Sequence, residues 1–186
     1  MSMEDYIILV DENKNILGTA PKLASHNAHT PLHLAFSIFL FNKKGNVLLQ
    51  QRSHTKKTWP LVWSHSCCGH QKISEKIQDT ARARLAFEMG ITDASLELLL
   101  PDFRYSCEMN GIWENEICPV FVGVTSQEPT INPAEVENYQ WMSWDRWLGE
   151  MKTTPEHYSY WCVKETEALL AEPKFEKFLS SRFDRE

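Results

Sequence analysis

Short apolar runs separated by polar turn residues dominate the first third of the chain. Tyr6–Val10 and Ile16–Thr19 flank the polar stretch Asp-Glu-Asn-Lys-Asn. Leu32–Phe41 and Val47–Gln51 flank Asn-Lys-Lys-Gly in the same way. Apolar runs joined by short polar loops are typical of β-hairpins. We therefore predict two hairpins in this part of the chain.

The spacing of apolar residues changes to a helical period from Glu75 to Met89, and Gly90 follows as a candidate helix-ending residue. Strand-like patterns then return, and the region from Ser143 onward has mostly helical spacing. This order predicts an α+β layered fold with one central helix. The later strands are predicted over Leu96–Leu100, Phe103–Glu108, Glu114–Val124 and Val136–Met142.

Composition and charge limit the class of protein. With 186 residues and 42% hydrophobic content, the chain is expected to form one domain over residues 1–186. A net charge of -6 is atypical of proteins that bind nucleic acid or anionic membranes. The pattern shows no secretion leader, no membrane-spanning stretch and no apolar surface stripe. We expect a cytoplasmic monomer without a nucleic-acid or membrane partner.

The segment Trp-Ser-His-Ser-Cys-Cys-Gly-His, residues 63–70, places two cysteines next to each other. The five cysteines of the chain form no C-x-x-C pair, so we expect free thiols. In an extended strand Cys68 and His70 point to one face, and Cys67 and Gly69 point to the other. Only one cysteine of the pair therefore shares a surface with His70.

The predicted central helix carries charge on its apolar side. Ile77, Ala81 and Leu85 form the inward stripe, and Arg84 and Glu88 fall within the same stripe. Buried charges are costly unless they are compensated. The two residues could pair with each other at i, i+4, or an active site beneath the helix could hold a metal ion or an anion.

Two carboxylates at i and i+2 of a strand, Glu114 and Glu116, face the same way and repel unless a cation or a proton lies between them. With His26, His33 and His70 they would supply the nitrogen and oxygen ligands that suit zinc or manganese. The simpler interpretation is an exposed polar strand end and unrelated histidines. The spacing alone leaves both interpretations open.

Basic and aromatic residues lie near these candidates. Basic runs are mostly solvated, but with Arg84 they could bind phosphate groups, to which Arg offers two hydrogen bonds and Lys a point charge. Tryptophan is mostly a core residue, but its ring also stabilises a cation over its face. The basic residues are Lys22, Arg52, His54, Lys56 and Lys57, and the aromatic residues are Trp59, Trp63, Tyr105, Trp113 and Trp161.

Five stretches together resemble one family: LHLAFSIFLFN, WPLVWSHSCCGH, PDFRY, ENEICPVF and YSYW. In this order they are similar to the type I isopentenyl-diphosphate Δ-isomerases, from about Tyr6 to the helix after Trp161. The resemblance implies a Nudix-like fold of mixed β-sheets packed between α-helices. It also implies the interconversion of isopentenyl and dimethylallyl diphosphate through a tertiary carbocation, a step of isoprenoid precursor biosynthesis.

The segment from Gly69 to Ile91 resembles a degenerate Nudix box. Ala83 stands where the hydrolases of this fold have Arg, and Arg84 stands where they have Glu. Phe87 replaces the first of two adjacent Glu. Because hydrolases need these carboxylates to hold metal ions, the substitutions disfavour diphosphate hydrolysis. The positions that fit are Gly69, Glu75, Leu85, Glu88, Gly90 and Ile91.

The resemblance implies roles for individual residues. A divalent ion, Mn²⁺ or Zn²⁺, would be held by the three histidines and two glutamates, and Glu88 would contact a Mg²⁺ ion on the diphosphate. His65 stands where the family pattern has Asn. The implied catalytic residues are Cys68, Glu116, Tyr105 and Trp161; the metal ligands are His26, His33, His70, Glu114, Glu116 and Glu88; the diphosphate contacts are Lys22, Arg52, Lys56 and Arg84.

Two other classes of protein fit parts of this pattern. A Nudix diphosphohydrolase would share the box but needs the missing carboxylates. A metal-stabilised binding module would use Cys68 and His70 as structural ligands, but the sequence has no closed tetrahedral Cys/His set.

Overall fold

The computed structural model describes residues 6–183, which form a sheet system with helices on both faces. The strands are β1 Tyr6–Val10, β2 Ile16–Pro21, β3 His33–Asn42, β4 Asn46–Arg52, β5 Trp63–Ser64, β6 Cys67–His70, β7 Ser95–Leu100, β8 Arg104–Met109, β9 Ile112–Ile117, β10 Val120–Thr125 and β11 Val136–Ser143. The helices are α1 Lys22–Ser25, α2 Ile77–Met89, α3 Trp144–Thr153, α4 Tyr160–Ala171 and α5 Pro173–Arg182, with a short 3₁₀ turn at Pro155–His157.

Strand β3 is the centre of the sheet system. It pairs in parallel with β9 near its start and with β10 along its second half. It pairs antiparallel with β6, and at single positions with β1 and β4. The sheets are therefore mixed, and the predicted α+β class is confirmed.

Two apolar cores cover opposite faces of β3, because successive side chains of a strand alternate between faces. Ala35 and Phe39 face a core that includes Trp161 and other residues of the C-terminal helices. Phe36 and Ile38 face a core that includes residues of α2. The two faces of β3 thus carry different chemistry.

Helix α2 begins at Ile77, two residues after the predicted start, and ends at Met89 as predicted. Gly90 follows with φ 68°, the left-handed conformation that glycine adopts readily. At Gly69 on β6, an added Cβ would lie 3.0 Å from the Phe36 ring and 3.2 Å from Arg84 Cγ. A glycine at this position lets the helix approach the sheet closely.

The predicted hairpins had different outcomes. Strands β1 and β2 pair antiparallel along their length, as predicted. Between β3 and β4 only Phe41 and Val47 are paired, so the second hairpin is correct at its turn and wrong for the rest of its length. The rest of β4 pairs with β11 and β5 instead. Long-range pairing has replaced the local alternative.

The strand predicted over Glu114–Val124 is also wrong as one element. The chain leaves β9 at Ile117 and starts β10 at Val120, with Pro119 between them. Proline lacks the backbone N–H that a continuous strand uses. The other later strands agree with prediction to within a residue, and the helical C-terminal region is confirmed. Within residues 6–183 no helix is long and apolar enough to cross a membrane.

Candidate active site

The register of β3 collects the candidate residues. His33 is paired with Glu116 of β9, Ala35 with His70 of β6, and Ser37 with Cys68 of β6. Directly paired residues point to the same face of a sheet, and residues two apart on a strand share a face. Strand register therefore brings residues 33, 68, 70 and 116 to one face.

Three histidines and two glutamates meet on this face, and we call them the histidine–glutamate centre: His26, His33, His70, Glu114 and Glu116. Ligand atoms of four of them, all except Glu114, lie within 4.8 Å of one another. Glu114 joins them through His26, whose Nε2 is 3.1 Å from a Glu114 oxygen. Nε2 of His33 and of His70 lie 3.3 and 3.2 Å from one oxygen of Glu116.

The outer nitrogens of two rings determine how the inner nitrogens are presented. Nδ1 of His26 contacts the Lys22 carbonyl at 2.6 Å, and Nδ1 of His33 contacts the Pro31 carbonyl at 2.8 Å. A carbonyl only accepts, so Nδ1 carries the proton and Nε2 presents a lone pair to the centre. All three Nε2 atoms are buried without a hydrogen-bond partner among residues 6–183. Lone pairs converging on carboxylate oxygens fit a divalent cation.

Glu116 is the ionised member of the centre. Burial acts to raise the pKa of its carboxyl, and that pKa falls well below the usual value where positive charge at His33 and His70 faces it. With neutral rings, a bound cation would supply that charge. The Tyr105 hydroxyl donates a hydrogen bond to the other oxygen of Glu116 at 2.7 Å. Burial, followed by the charge of Glu116, raises the pKa of Tyr105 well above the usual value. Tyr105 therefore keeps its proton.

The adjacent cysteines face opposite sides, as predicted. Cys67 is fully buried in the α2 core, where its thiol donates to Glu88 at 3.5 Å. Cys68 is half-buried on the other face, and a guanidinium N–H of Arg52 donates to its sulfur at 4.0 Å. Burial raises the pKa of Cys68 to about 12, although the charge of Arg52 opposes this. All five cysteines are free.

Trp161 connects the two sides of the site. Its ring stacks on Tyr105 with centroids 5.7 Å apart, and it meets Trp59 edge-on at 5.3 Å. The Arg52 guanidinium lies 5.8 Å from its centroid. Trp161 thus contacts a neighbour of Glu116 and a neighbour of Cys68. Trp113, another aromatic candidate, is 41% exposed.

A second group of charges lies by α2, and we call it the arginine–glutamate cluster: Lys56, Arg84, Glu88 and Glu135. Arg84 donates to Glu88 at 2.8 Å and to Glu135 at 2.5 Å, and Lys56 also contacts Glu135. Gln50 donates to the second oxygen of Glu88 at 3.1 Å. Of the two interpretations of the inward charges, the i, i+4 pair is present in the structure.

A cavity of about 360 Å³ opens beside this cluster. Lys22, Arg84 and His70 line it, together with Lys72 and Glu135, which the sequence analysis did not single out. Lys72 follows β6 by two residues and had no periodic or motif signal. Glu135 precedes β11 and is linked to the cavity only through long-range pairing.

The remaining basic candidates lie elsewhere. Arg52 lies beside Cys68 and donates to the carbonyls of Trp59 and Thr58 at 3.0 and 2.9 Å. The exposed His54 ring contacts Glu137 at 2.6 Å, and Lys57 is exposed. The basic run is therefore not one surface.

The comparisons with known proteins first define the fold class. Residues 31–162 match the model of the NUDIX domain. DR0079 from Deinococcus radiodurans has a TM-score of 0.64 at 17% identity, over 81% of this chain and 90% of that chain. The MutT protein from Methanosarcina mazei Go1 has a TM-score of 0.54 at 22% identity, over 64% and 82%. The chain has the Nudix fold.

Curated relatives then identify the family. The isopentenyl-diphosphate Δ-isomerase of Saccharopolyspora erythraea is 40% identical over 167 residues, which cover 89% of this chain and 86% of the relative. That of an Enterobacter species is 42% identical over 167 residues, covering 89% and 91%. That of Escherichia coli O7:K1 is 42% identical over 162 residues, covering 87% and 89%. The chain belongs to the isopentenyl-diphosphate Δ-isomerase family, and the resemblance drawn from the motifs is confirmed.

Proposed function

We propose that this protein interconverts isopentenyl diphosphate and dimethylallyl diphosphate, supplying isoprenoid precursors, with Cys68 and Glu116 as the groups that exchange protons with the substrate. The observation that supports this most directly is the position of Trp161. It contacts Tyr105, which holds Glu116, and Arg52, which holds Cys68. A substrate over Trp161 would therefore lie between two proton-transfer groups.

The isomerisation needs two proton-transfer groups and a group that stabilises a cation. An alkene is a very weak base, so its protonation needs a positioned acid and a means of stabilising the tertiary cation that forms. Cys68 and Glu116 would add a proton at one carbon and remove a proton from another. The ring of Trp161, which is 3% exposed, would stabilise the cation, and the buried side chains around it would keep water away. Tyr105 would donate to Glu116 and adjust its basicity.

The diphosphate would bind in the cavity beside the arginine–glutamate cluster. Lys22 and Arg84 line this cavity, and Lys56 contacts Glu135 in its wall. Arg52, on the Cys68 side, would meet the substrate closer to the reacting carbons. Lys72 is an additional candidate for the diphosphate, because it lines the cavity.

The histidine–glutamate centre fits Mn²⁺ or Zn²⁺, whose positive charge would lower the free energy of the converging carboxylates and keep Glu116 ionised. Glu88 is different, because both of its oxygens already have protein donors. The Glu88 contact to a Mg²⁺ ion on the diphosphate therefore stays a prediction. So do the single domain over residues 1–186, the monomeric state and the cytoplasmic location.

A metal titration tests the centre without an activity assay. Adding Mn²⁺ or Zn²⁺ to protein dialysed against a chelator should raise the unfolding temperature by about 5–10 °C, since a ligand that binds only the folded state stabilises it. His33→Asn should abolish the shift. The matched control is His54→Asn, because His54 lies outside the centre. An equal shift in both variants would contradict the assignment.

The activity itself is tested by NMR in D₂O. The protein is incubated with isopentenyl diphosphate and Mg²⁺, with and without a chelator. Deuterium-bearing dimethylallyl diphosphate that depends on metal supports the proposal, and Cys68→Ser should lose most of the turnover. Near wild-type turnover in Cys68→Ser would contradict the role of this cysteine.

Release of inorganic phosphate in the same experiment would instead indicate a Nudix hydrolase. The structure disfavours that reaction, because Arg84 occupies a carboxylate position of the box and pairs with Glu88. It also disfavours the binding module, because the converging ligand atoms found among residues 6–183 include His70 but not Cys68.

A further inference from the structure

A buried polar group behind Cys68 has no part in the chemistry above. It consists of Ser37, His65 and Glu165, all fully buried, and we call it the buried clasp. The Ser37 hydroxyl donates to one oxygen of Glu165 at 2.6 Å, and Nε2 of His65 lies 3.0 Å from the other. A buried pair of an acid and an imidazole need not stabilise the fold, because the cost of removing both groups from water offsets their attraction. A positioning role for the group would explain why it is there.

The clasp joins the elements that carry two proposed catalytic residues. Ser37 is the β3 partner of Cys68, and His65 lies three residues before Cys68. Glu165 is on α4, four residues after Trp161, so both side chains lie on the same side of that helix. Each oxygen of Glu165 therefore contacts a residue near Cys68, while its backbone belongs to the helix of Trp161.

A second attachment holds the start of the same helix. The hydroxyls of Ser64 and Ser159 lie 2.9 Å apart, and the Ser159 N–H donates to the Trp63 carbonyl at 2.8 Å. Trp161, Cys162 and Leu169 also pack the helix into the apolar core, but apolar packing is non-directional. The directional contacts at Ser159 and at Glu165 would add to it by defining the rotation of the helix and hence the position of Trp161.

We propose that Glu165 is a positioning residue for the isomerisation, which through Ser37 and His65 holds Trp161 in place relative to Cys68. This inference rests on the proposed function. Displacing a catalytic group by about 1 Å can reduce turnover by up to about 100-fold. The cavity proposed for the diphosphate contains no residue of the clasp, so substrate binding should be affected much less.

The test compares steady-state kinetics of substitutions at neighbouring positions of α4. Glu165→Leu removes both contacts of the clasp and should lower kcat roughly 10- to 100-fold, with KM within about twofold. Glu165→Gln keeps the shape and the hydrogen-bonding groups and should recover most of kcat. The control is Thr166→Val, which removes a buried hydrogen bond of 3.2 Å to Trp147. It should lower the unfolding temperature and leave kcat unchanged.

The outcomes separate this inference from the proposed function. A wild-type protein without isomerase activity would overturn both. An active wild type in which folded Glu165→Leu keeps its kcat, or loses no more than Thr166→Val, would overturn the positioning role alone. If Glu165→Leu does not fold, Ser37→Ala decides: a fall in kcat of about threefold or more at unchanged KM supports the role, and an unchanged kcat overturns it.

Discussion

The histidine–glutamate centre and the arginine–glutamate cluster are both groups of buried and half-buried polar side chains, yet their polar atoms are satisfied differently. In the centre, three Nε2 atoms converge on carboxylate oxygens without a hydrogen bond among the described residues. In the cluster, Arg84 donates to two carboxylates, and Glu88 also accepts from Gln50. The acceptors of the centre face one another, whereas each carboxylate of the cluster is paired with a cationic donor.

This difference shows which groups of polar side chains indicate a bound ligand. Acceptors that face acceptors repel, so their convergence indicates a missing positive charge. A paired Arg and Glu give no such indication, even where they line a cavity. The proposed cation site of the centre therefore rests on geometry, while the proposed diphosphate role of Arg84 rests on the cavity and on the family.

Among the substitutions that test this difference, we expect the largest effect on catalysis. Glu116→Gln keeps the volume of the side chain but removes the charge and the proton-accepting oxygen, and we expect kcat to fall about 1000-fold. In Glu88→Gln we expect kcat to fall less, and we expect the concentration of Mg²⁺ needed for full activity to rise. NMR turnover in D₂O measures both variants. Equal losses would show that the two groups are not functionally distinct.

The next effect is on stability, where the cluster should be the sensitive group. Arg84→Met leaves Glu88 with its 4% exposed side chain unpaired with a cation, and the free energy of unfolding should fall by about 3 kcal/mol. The double variant with Glu88→Gln should recover most of this loss, because no buried charge is left alone. Urea unfolding with a chelator present measures both. A double variant as unstable as Arg84→Met would contradict the pairing.

The pH dependence tests the centre. Burial, reinforced by the charge of Lys22, lowers the pKa of His70 to about 3. Below pH 6.5, the usual pKa of histidine, the unfolded chain binds a proton at His70 that the folded protein does not bind. The contribution of His70 to the free energy of unfolding is therefore present above pH 6.5 and is lost as the pH falls from there toward 3. In metal-free protein the share of His70 in the loss between pH 6.5 and pH 5 should be about 2 kcal/mol.

Urea unfolding at these two pH values measures that loss. His70→Asn should flatten the dependence by about this amount, because the titrating group is gone. His157→Asn should not, because the side chain of His157 is 67% exposed. A dependence that is unchanged in His70→Asn would show that another group produces it.

The smallest expected effect concerns the cysteine that faces the cluster. Cys67→Ala removes a buried thiol that donates to Glu88, and the free energy of unfolding should fall by about 1 kcal/mol. Turnover should stay within about twofold of wild type, since the substitution lies on the opposite face from Cys68. A loss of turnover as deep as that of Cys68→Ser would reverse the face assignment.

The sequence pattern was sufficient for predictions that concern a single strand or helix. The alternation of Cys67, Cys68 and His70 between faces follows from strand geometry alone. The end of α2 at Gly90 follows from a helical period and one glycine. The pairing of Arg84 with Glu88 was one of two interpretations, because periodicity shows which side a residue faces but not its partner.

Pairing over long distances was not predictable in the same way. The β3–β4 hairpin was expected from its turn, but β4 pairs mainly with β11. Lys72 and Glu135 were missed, because nothing near them in sequence marks the wall of a cavity. Glu165 was missed as well, since its partners Ser37 and His65 lie 128 and 100 residues away along the chain.

The sequence by itself determined which residues could do chemistry and, within one strand or helix, which of them share a face. Those properties depend on the fixed periods of the backbone, which act over a few residues. Only the tertiary structure decided which of these residues meet. It brings His26, His33, His70 and Glu116 together, and it places Arg52 next to Cys68. It also places Glu165 behind Cys68. Such contacts depend on the register of β3 with β6 and β9, which is selected by packing across the whole sheet system.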